Sequence, residues 1–376
     1  MNEKEIAEIR RRFRPDKNNI TRICGCYVNE KGEVISQFDQ PLALTPQEDC
    51  ERMLALLKKS LSGTLGKNLF DISFSTQQVV DSDEHRLLMA LRGCALNDPE
   101  VVQNFYSRMI SAISLDSHYL ILLAYDTYDV PYRSKDGEKL EDASSEVYSY
   151  ILCSVCPVKP EKPALCFDIP ENTMRNIREE WLIAAPELGF LFPAFDDRST
   201  NIYNALFYSR NTEDNHASFI DAVFRADPPV PAAVQKEAFA SLLGDTLNED
   251  CSYEMVQAVN EQLCGMIQEH KESKQEEPLS LTKATVKNVL QACGATEQQV
   301  DAFDENYNTV FGADAQISPS NLVEKKQLQV RTPDVTIQVN AEHGDLVQTR
   351  VIDGVKYILI RAGENVTVNG IGIHIS

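Results

Sequence analysis

Two long apolar segments constrain the fold of this chain most strongly. The first, HYLILLAYDTYDV, covers residues 118–130, and the second, EVYSYILCSVCPV, covers residues 146–158. A hydrophilic segment, residues 133–145, separates them. Both segments are rich in the aliphatic and aromatic side chains that favour buried strands. They therefore predict two long strands, the first of which is central in a sheet.

The residues before these segments alternate between helical and strand patterns. Residues 3–14 predict a short helix that ends at Pro15, and NNITRICGCYVNEKGEVISQF predicts a hairpin around Asn29–Gly32. Thr45 and Pro46 predict a helix start. Residues 82–113 predict two helices that separate near Asn97–Pro99. These segments predict a sheet that is mainly antiparallel, with the helices packed against it.

The residues after these segments complete an α+β pattern. ENTMRNIREEWLIAAP predicts a helix that ends at Pro186, and LGFLFPAFDD with NIYNALFYSRN predicts a strand pair. Residues 232–312 show helical periodicity. The last segment is β-rich, with hairpin turns at Asp353–Gly354 and Asn369–Gly370. We therefore expect an α+β domain over 1–227, a helical region over 228–315 and a C-terminal β-hairpin segment over 316–376.

The charge and hydropathy of the chain limit the kinds of partner that it can bind. The 376 residues are 43% hydrophobic and carry a formal net charge of −21. Such acidity opposes non-specific attraction to anionic membranes or nucleic acid. The N-terminus has no apolar segment of signal-peptide type, and no run of 18 apolar residues occurs. We expect a cytoplasmic protein that does not bind membranes.

Four cysteines form two closely spaced pairs. Cys24 and Cys26 have C-x-C spacing, which places both side chains on one face of a strand. Cys153 and Cys156 have C-x-x-C spacing in a strand-like run, which directs them to opposite faces. The pairs are buried reduced thiols, zinc ligands, or groups with a redox or nucleophilic role. The spacing favours buried thiols, so we assign no metal.

A polar cluster follows the predicted strand LGFLFPAF. It contains Asp196, Asp197 and His216, residue types that bind divalent metals or act as acid and base. The same residues are typical of a solvated hairpin turn. The sequence has no P-loop, dinucleotide-binding, zinc-protease or nucleophile-elbow motif. We therefore assign no catalytic residue and expect no cofactor.

A basic segment lies near the N-terminus. Arg10, Arg11, Arg12 and Arg14 fall within residues 1–26, where seven Lys or Arg face four Asp or Glu. Such a cluster binds nucleic acid or an acidic partner, or it pairs with the acidic surface of the same protein. The helical pattern places Ile6, Ile9 and Phe13 on the face that docks and leaves the arginines to face outward.

Two family resemblances follow from longer stretches. TRICGCYVNEKGEVISQF, GFLFPAFDDRSTNIYNALFYSRN and VKYILIRAGENVTVNGIGIHI resemble a bacterial family described as domain of unknown function 4317, over nearly the whole length. This resemblance implies a cytosolic bacterial protein and supplies no activity. Over roughly the last 140 residues, the order of helices and terminal strands is similar to the 37-kilodalton nucleoid-associated proteins. That likeness implies nucleoid association.

These observations favour a non-enzymatic binding protein that acts through an unknown protein or nucleic-acid partner. One alternative is a metal-dependent or hydrolytic enzyme that uses the Asp196–His216 cluster. Another alternative is a structural zinc protein built on the cysteine pairs.

Overall fold

The computed structural model describes residues 1–133, 139–161, 164–177, 181–214, 216–273, 279–312, 317–323, 327–362, 366–368 and 371–372. The chain divides into two compact units, Met1–Pro231 and Ala232–Ser376. We describe each unit separately. The segments predicted over 228–315 and 316–376 fall almost entirely in the second unit, and their further division at residue 315 stays a prediction.

The first unit contains both helices and strands. Its helices are α1 (Glu3–Arg10), α2 (Gln47–Lys58), α3 (Thr76–Asp81), α4 (Asp83–Gly93), α5 (Pro99–Ala112) and α6 (Ala217–Phe224). Its strands are β1 (Arg22–Val28), β2 (Val34–Pro41), β3 (Leu69–Ser73), β4 (His118–Arg133), β5 (Lys139–Pro160), β6 (Ala164–Asp168), β7 (Thr173–Ile177), β8 (Trp181–Ile183), β9 (Leu188–Phe192), β10 (Ala194–Asp196), β11 (Ser199–Asn201) and β12 (Asn204–Ser209).

An eight-stranded antiparallel sheet organises this unit. The strand order is β2-β1-β4-β5-β9-β12-β3, and β8 pairs with the end of β5. The two apolar segments form β4 and β5, which lie at the centre as predicted. The predicted hairpin joins β1 and β2, with Gly32 at a positive φ of 78° in the turn. The remaining strands form two small hairpins, β6-β7 and β10-β11.

The sheet is buried on both sides. One side, here called the Phe190 face, carries Cys153 and Phe190 and packs against α4, α5 and α6. The opposite side, the Leu191 face, carries Leu152 and Leu191 and packs against α1 and α2. Neighbouring residues of β5 and β9 therefore divide between two cores, as strand geometry requires. The three layers bury the long apolar runs that the sequence displays.

One predicted helix is wrong. ENTMRNIREEWLIAAP contains β7 and β8 among its described residues. Asn172 has a positive φ of 51° in the turn between β6 and β7, a conformation that asparagine tolerates better than most residues. Trp181–Ile183 then pairs with Val158–Pro160 of β5. Pairing with an existing sheet edge has overridden the helical propensity of this segment.

The second unit has a helical core and paired short strands. Its elements are α7 (Ala232–Leu247), α8 (Tyr253–Ser273), α9 (Lys283–Ala292), α10 (Glu297–Val310), α11 (Pro319–Leu322), β13 (Gln327–Arg331), β14 (Thr336–Asn340), β15 (Val347–Ile352), β16 (Val355–Ile360), β17 (Thr367–Val368) and β18 (Ile371–Gly372). Phe239, Leu290 and Phe303 belong to its core.

The predicted turn at Asp353–Gly354 joins β15 to β16, with positive φ angles of 50° and 78°. The predicted turn at Asn369–Gly370 lies outside the described residues. Among the described residues, no helix combines the length and the apolar composition needed to cross a membrane. The α+β fold class is confirmed.

Candidate functional site

The basic segment is divided between the interior and the surface. Arg12 turns inward, and its Nε and Nη2 donate to Asp126 at 3.0 and 3.2 Å. Its guanidinium also lies 4.4 Å from the ring centre of Tyr128. The pKa of Arg12 is raised, because the bonds to Asp126 outweigh the opposing effect of burial. The outward orientation expected for all four arginines therefore does not hold for Arg12.

The other three arginines remain at the surface. Arg11 and Arg14 are exposed, and Arg10 is partly buried. Their side chains form no ion pair with a described residue. Ile6, Ile9 and Phe13 are buried against the Leu191 face, as the helical pattern predicts. The basic surface therefore consists of three arginines rather than four.

The structure does not bring Asp196 and His216 together. Asp196 lies at the end of β10, where the ammonium of Met1 approaches it at 2.6 Å. Met1 belongs to the core of the Leu191 face. The ring of His216 packs on Phe207, at a centroid distance of 6.2 Å, and Phe207 lies on the Phe190 face. The sheet therefore separates the two side chains.

Each member of this cluster has a local role. Burial raises the pKa of Asp196, but the Met1 ammonium and the amides of Asn201 and Asn204 outweigh burial and lower it. Asp197 has a positive φ of 48° in the turn between β10 and β11. Burial lowers the pKa of His216, against an opposing effect of Asp214. The solvated-turn interpretation fits Asp197, and the acid-base interpretation has no geometric basis here.

The paired cysteines lie in two different cores. Cys24, Cys26 and Cys153 face the helices on the Phe190 face, whereas Cys156 lies on the Leu191 face. Cys153 and Cys156 therefore cannot bind one ion, as their spacing on a strand indicates. Burial raises the pKa of Cys26 to about 11 and that of Cys156 to about 12. Within the described ranges, no three His, Cys, Asp or Glu side chains converge as metal ligands.

A hydrogen-bonded group of side chains lies where β4 begins. The Tyr27 hydroxyl is 2.8 Å from Nδ1 of His118, and Oε2 of Glu30 is 2.7 Å from Nε2. Trp181 packs against the imidazole with ring centroids 4.8 Å apart. Burial raises the pKa of Tyr27, so its hydroxyl stays protonated at neutral pH. Glu30 and Trp181 are about half exposed. We interpret this group as an anchor that holds β8 on the sheet.

A pocket of about 270 Å³ lies between the β1-β2 hairpin and the start of α5. We call it the hairpin pocket. The hairpin contributes Arg22, Cys24 and Asp39, and the helix side contributes Asn97, Val102 and Tyr106. Cys24 and Asp39 face each other across the strand ladder. The hairpin pocket therefore lies between the edge hairpin of the sheet and the N-terminal turns of α5.

Arg22 fixes the wall of the hairpin pocket. Its Nη2 donates to the carbonyl of Leu96 at 2.7 Å and to Oδ1 of Asn97 at 3.0 Å. Its Nη1 reaches Asp39 at the longer distance of 3.4 Å. Leu96 has a positive φ of 61°. The guanidinium therefore holds the α4-α5 connection in a conformation that non-glycine residues seldom adopt.

Tyr106 lines the hairpin pocket, but its hydroxyl oxygen is buried and closed to solvent. Tyr106 is only 2% exposed, and its hydroxyl has no hydrogen-bond partner among the described residues. Burial raises its pKa, and the proximity of Cys24 adds to this effect. Burial raises the pKa of the Cys24 thiol to about 12, and the neighbouring Asp39 makes a smaller contribution in the same direction. Both groups therefore stay neutral near pH 7.

Sequence reasoning missed the hairpin pocket. The predicted turn at Asn29–Gly32 contained only part of the signal. Its register, with Val28 opposite Val34, would place Phe38 opposite Cys24, and a one-residue irregularity between Tyr27 and Val28 brings Asp39 there instead. The contribution of Tyr106 had no such signal, since α5 reaches the hairpin only through tertiary packing.

A family model matches nearly the whole chain. Residues 1–371 match the family model described as "Domain of unknown function (DUF4317)". A search of the curated proteins finds no match.

Proposed function

We propose that this chain, which belongs to the DUF4317 family, is a cytosolic binding protein that takes a small ligand into the hairpin pocket. Ligand sites are typically concave and apolar, with a few polar groups that fix orientation. The hairpin pocket combines Leu96, Pro99 and Val102 with the polar groups of Arg22, Asp39 and Asn97.

The Arg22–Asp39 pair in the pocket wall, beside the apolar side chains of Leu96, Pro99 and Val102, is the observation that carries this proposal. Asp39 is about half exposed, so its carboxylate can accept a hydrogen bond from a ligand. The neutral forms of Cys24 and Tyr106 favour binding over covalent chemistry.

The test is a ligand-observed NMR screen of the full chain with small aromatic amines, amides and heterocycles. Val102→Trp fills the hairpin pocket, whereas Ser111→Trp places the same side chain on an exposed part of α5. We expect fragments that bind the wild type and Ser111→Trp but lose binding to Val102→Trp. Equal binding to Val102→Trp, with an unchanged circular dichroism spectrum, would contradict the proposal.

We also infer a second, weaker function, nucleic-acid binding through Arg10, Arg11 and Arg14. The observation in its favour is that these three side chains make no ion pair with a described residue. The acidity of the chain restricts contact with DNA to this surface. Association with the nucleoid stays a prediction from the sequence pattern.

The experiment is a titration of duplex DNA at several salt concentrations, with wild type and an Arg10→Ala, Arg11→Ala, Arg14→Ala variant. Each lost phosphate contact should flatten the salt dependence of log K by about one unit. Equal binding by both proteins would show that this surface does not bind DNA. Absence of binding at low salt would favour a protein partner instead.

A further inference from the structure

We propose that the β6-β7 hairpin is a dimerisation arm, whose apolar face packs against the same face of a second copy of this chain. The residues of this hairpin take no part in the hairpin pocket, so the proposal is independent of the proposed function. The register of the β6-β7 hairpin, the exposure of its side chains and the area that two copies bury all point to this arrangement.

The β6-β7 hairpin continues the pairing of β5 with β8 beyond the sheet. Pro160 pairs with Trp181 at the end of β5, and Ala164 pairs with Ile177 at the start of β6. The step from Pro160 to Ala164 equals the step from Ile177 to Trp181, so both ladders share one register. Trp181 packs on His118 and holds the base of the hairpin against β4. Among the described strands, β6 and β7 pair only with each other.

One face of the β6-β7 hairpin is apolar and exposed. Phe167 pairs directly with Met174, and Leu165 precedes Phe167 by two residues, so strand geometry places these three side chains on one face. Leu165, Phe167 and Met174 are 66%, 58% and 68% exposed. Ile169, in the connection between the two strands, is 80% exposed. The hairpin therefore presents four large apolar side chains to solvent.

Such a hairpin needs a cover for its apolar face. An isolated two-stranded hairpin is at best marginally stable in water, and packing of its apolar face makes it stable. The four side chains expose roughly 500 Å² in all, which is near the upper end of the about 300–600 Å² of the largest patch on a typical monomer. The cover must be present whenever the hairpin is folded, and a second copy of the chain always is.

The chemistry of this face suits a second copy of the chain. A twofold axis brings the same face of both copies together, so apolar side chains meet apolar side chains and none of the four buries a charge. Two copies that each carry a net charge of −21 repel one another, which favours contact through an uncharged surface. Mutual cover buries roughly 1,000 Å² in total, the smallest area typical of a specific interface.

The test is light scattering coupled to size-exclusion chromatography, with the full chain over a range of concentrations. We expect the wild type to have twice the 42.2 kDa mass of one chain. Leu165→Asp should have the mass of one chain, because the dimer would bury a carboxylate from each copy. Leu44→Asp is the matched control, since Leu44 is 84% exposed outside the β6-β7 hairpin, and it should remain a dimer.

Phe167→Asp is the second variant. Loss of one hot-spot side chain from each copy should raise the Kd of the dimer about a hundredfold or more. The circular dichroism spectra of Leu165→Asp and Phe167→Asp should match that of the wild type, because both side chains are exposed.

Four results would overturn the proposal. A wild type that is monomeric at every concentration would leave this face to a different protein. Dimers that persist in both Leu165→Asp and Phe167→Asp would place the interface elsewhere. Dissociation of Leu44→Asp to the same extent would show a general effect of added charge. Loss of the circular dichroism spectrum in either hairpin variant would show that the side chain supports the fold of a single chain instead.

Discussion

At the residue scale, Asp126 ties the N-terminal segment to the central sheet. Its carboxylate is 1% exposed and accepts from Arg12, from the backbone N–H of Asn19 at 2.7 Å and from the Tyr150 hydroxyl at 2.8 Å. The sequence predicted the apolar side of α1 from its periodicity. It did not predict Arg12 as an interior group, because Asp126 lies 114 residues away.

Arg12→Ala should therefore destabilise the protein far more than Arg14→Ala. Removal of one partner leaves the other charge buried, which costs about 3–5 kcal/mol. Arg14 is exposed, so its loss should change the free energy of unfolding by less than about 0.5 kcal/mol. Urea denaturation of both variants measures the difference. Similar losses would show that the Arg12–Asp126 pair contributes little.

The lowered pKa of His216 predicts that the stability of the protein depends on pH. Burial lowers its pKa below the unfolded value of 6.5, against the opposing charges of Asp214 and Glu187. The unfolded chain therefore binds the proton more readily, and stability is full above pH 6.5 and falls as the pH drops towards the folded pKa. His216→Asn keeps a residue that tolerates the positive φ of 47°.

Denaturation of wild type and His216→Asn between pH 5 and 8 measures this contribution. The wild type should lose more stability than the variant below pH 6.5. Parallel curves for the two proteins would mean that His216 does not titrate differently on folding.

At the element scale, β5 shows that strand alternation alone can predict which face of the sheet a residue occupies. Cys153 and Cys156 were expected on opposite faces from their spacing, and they lie in the cores of the Phe190 face and the Leu191 face. Alternation was sufficient because both faces of β5 are buried. The segment 171–186 was predicted wrongly, because its strands pair with β6 and β5, and periodicity within the segment does not contain these contacts.

Cys153→Ala and Cys156→Ala should each cost about 1 kcal/mol through lost packing. Both side chains are fully buried, so each truncation leaves a small cavity. A chelator should leave the melting temperature of the wild type unchanged. A large fall in melting temperature with chelator would instead support the zinc hypothesis.

At the scale of the whole molecule, the α+β class and the order of helical and β-rich segments followed from the sequence, because hydrophobic periodicity records which faces are buried. The hairpin pocket did not follow, since it forms where residues 22–39 meet residues 96–106. A site of this kind is a product of packing between elements. Arg22 and Tyr106 carry no motif that marks them in advance.

The central claim is that a small ligand occupies the hairpin pocket beside Arg22 and Asp39. The most direct measurement is a crystal structure of the full chain soaked with the fragment that binds best in the NMR screen. We predict a polar atom of the fragment at about 3 Å from a side-chain oxygen of Asp39 or a side-chain nitrogen of Arg22, a normal hydrogen-bond distance. A fragment bound elsewhere, with only water in the hairpin pocket, would contradict the account.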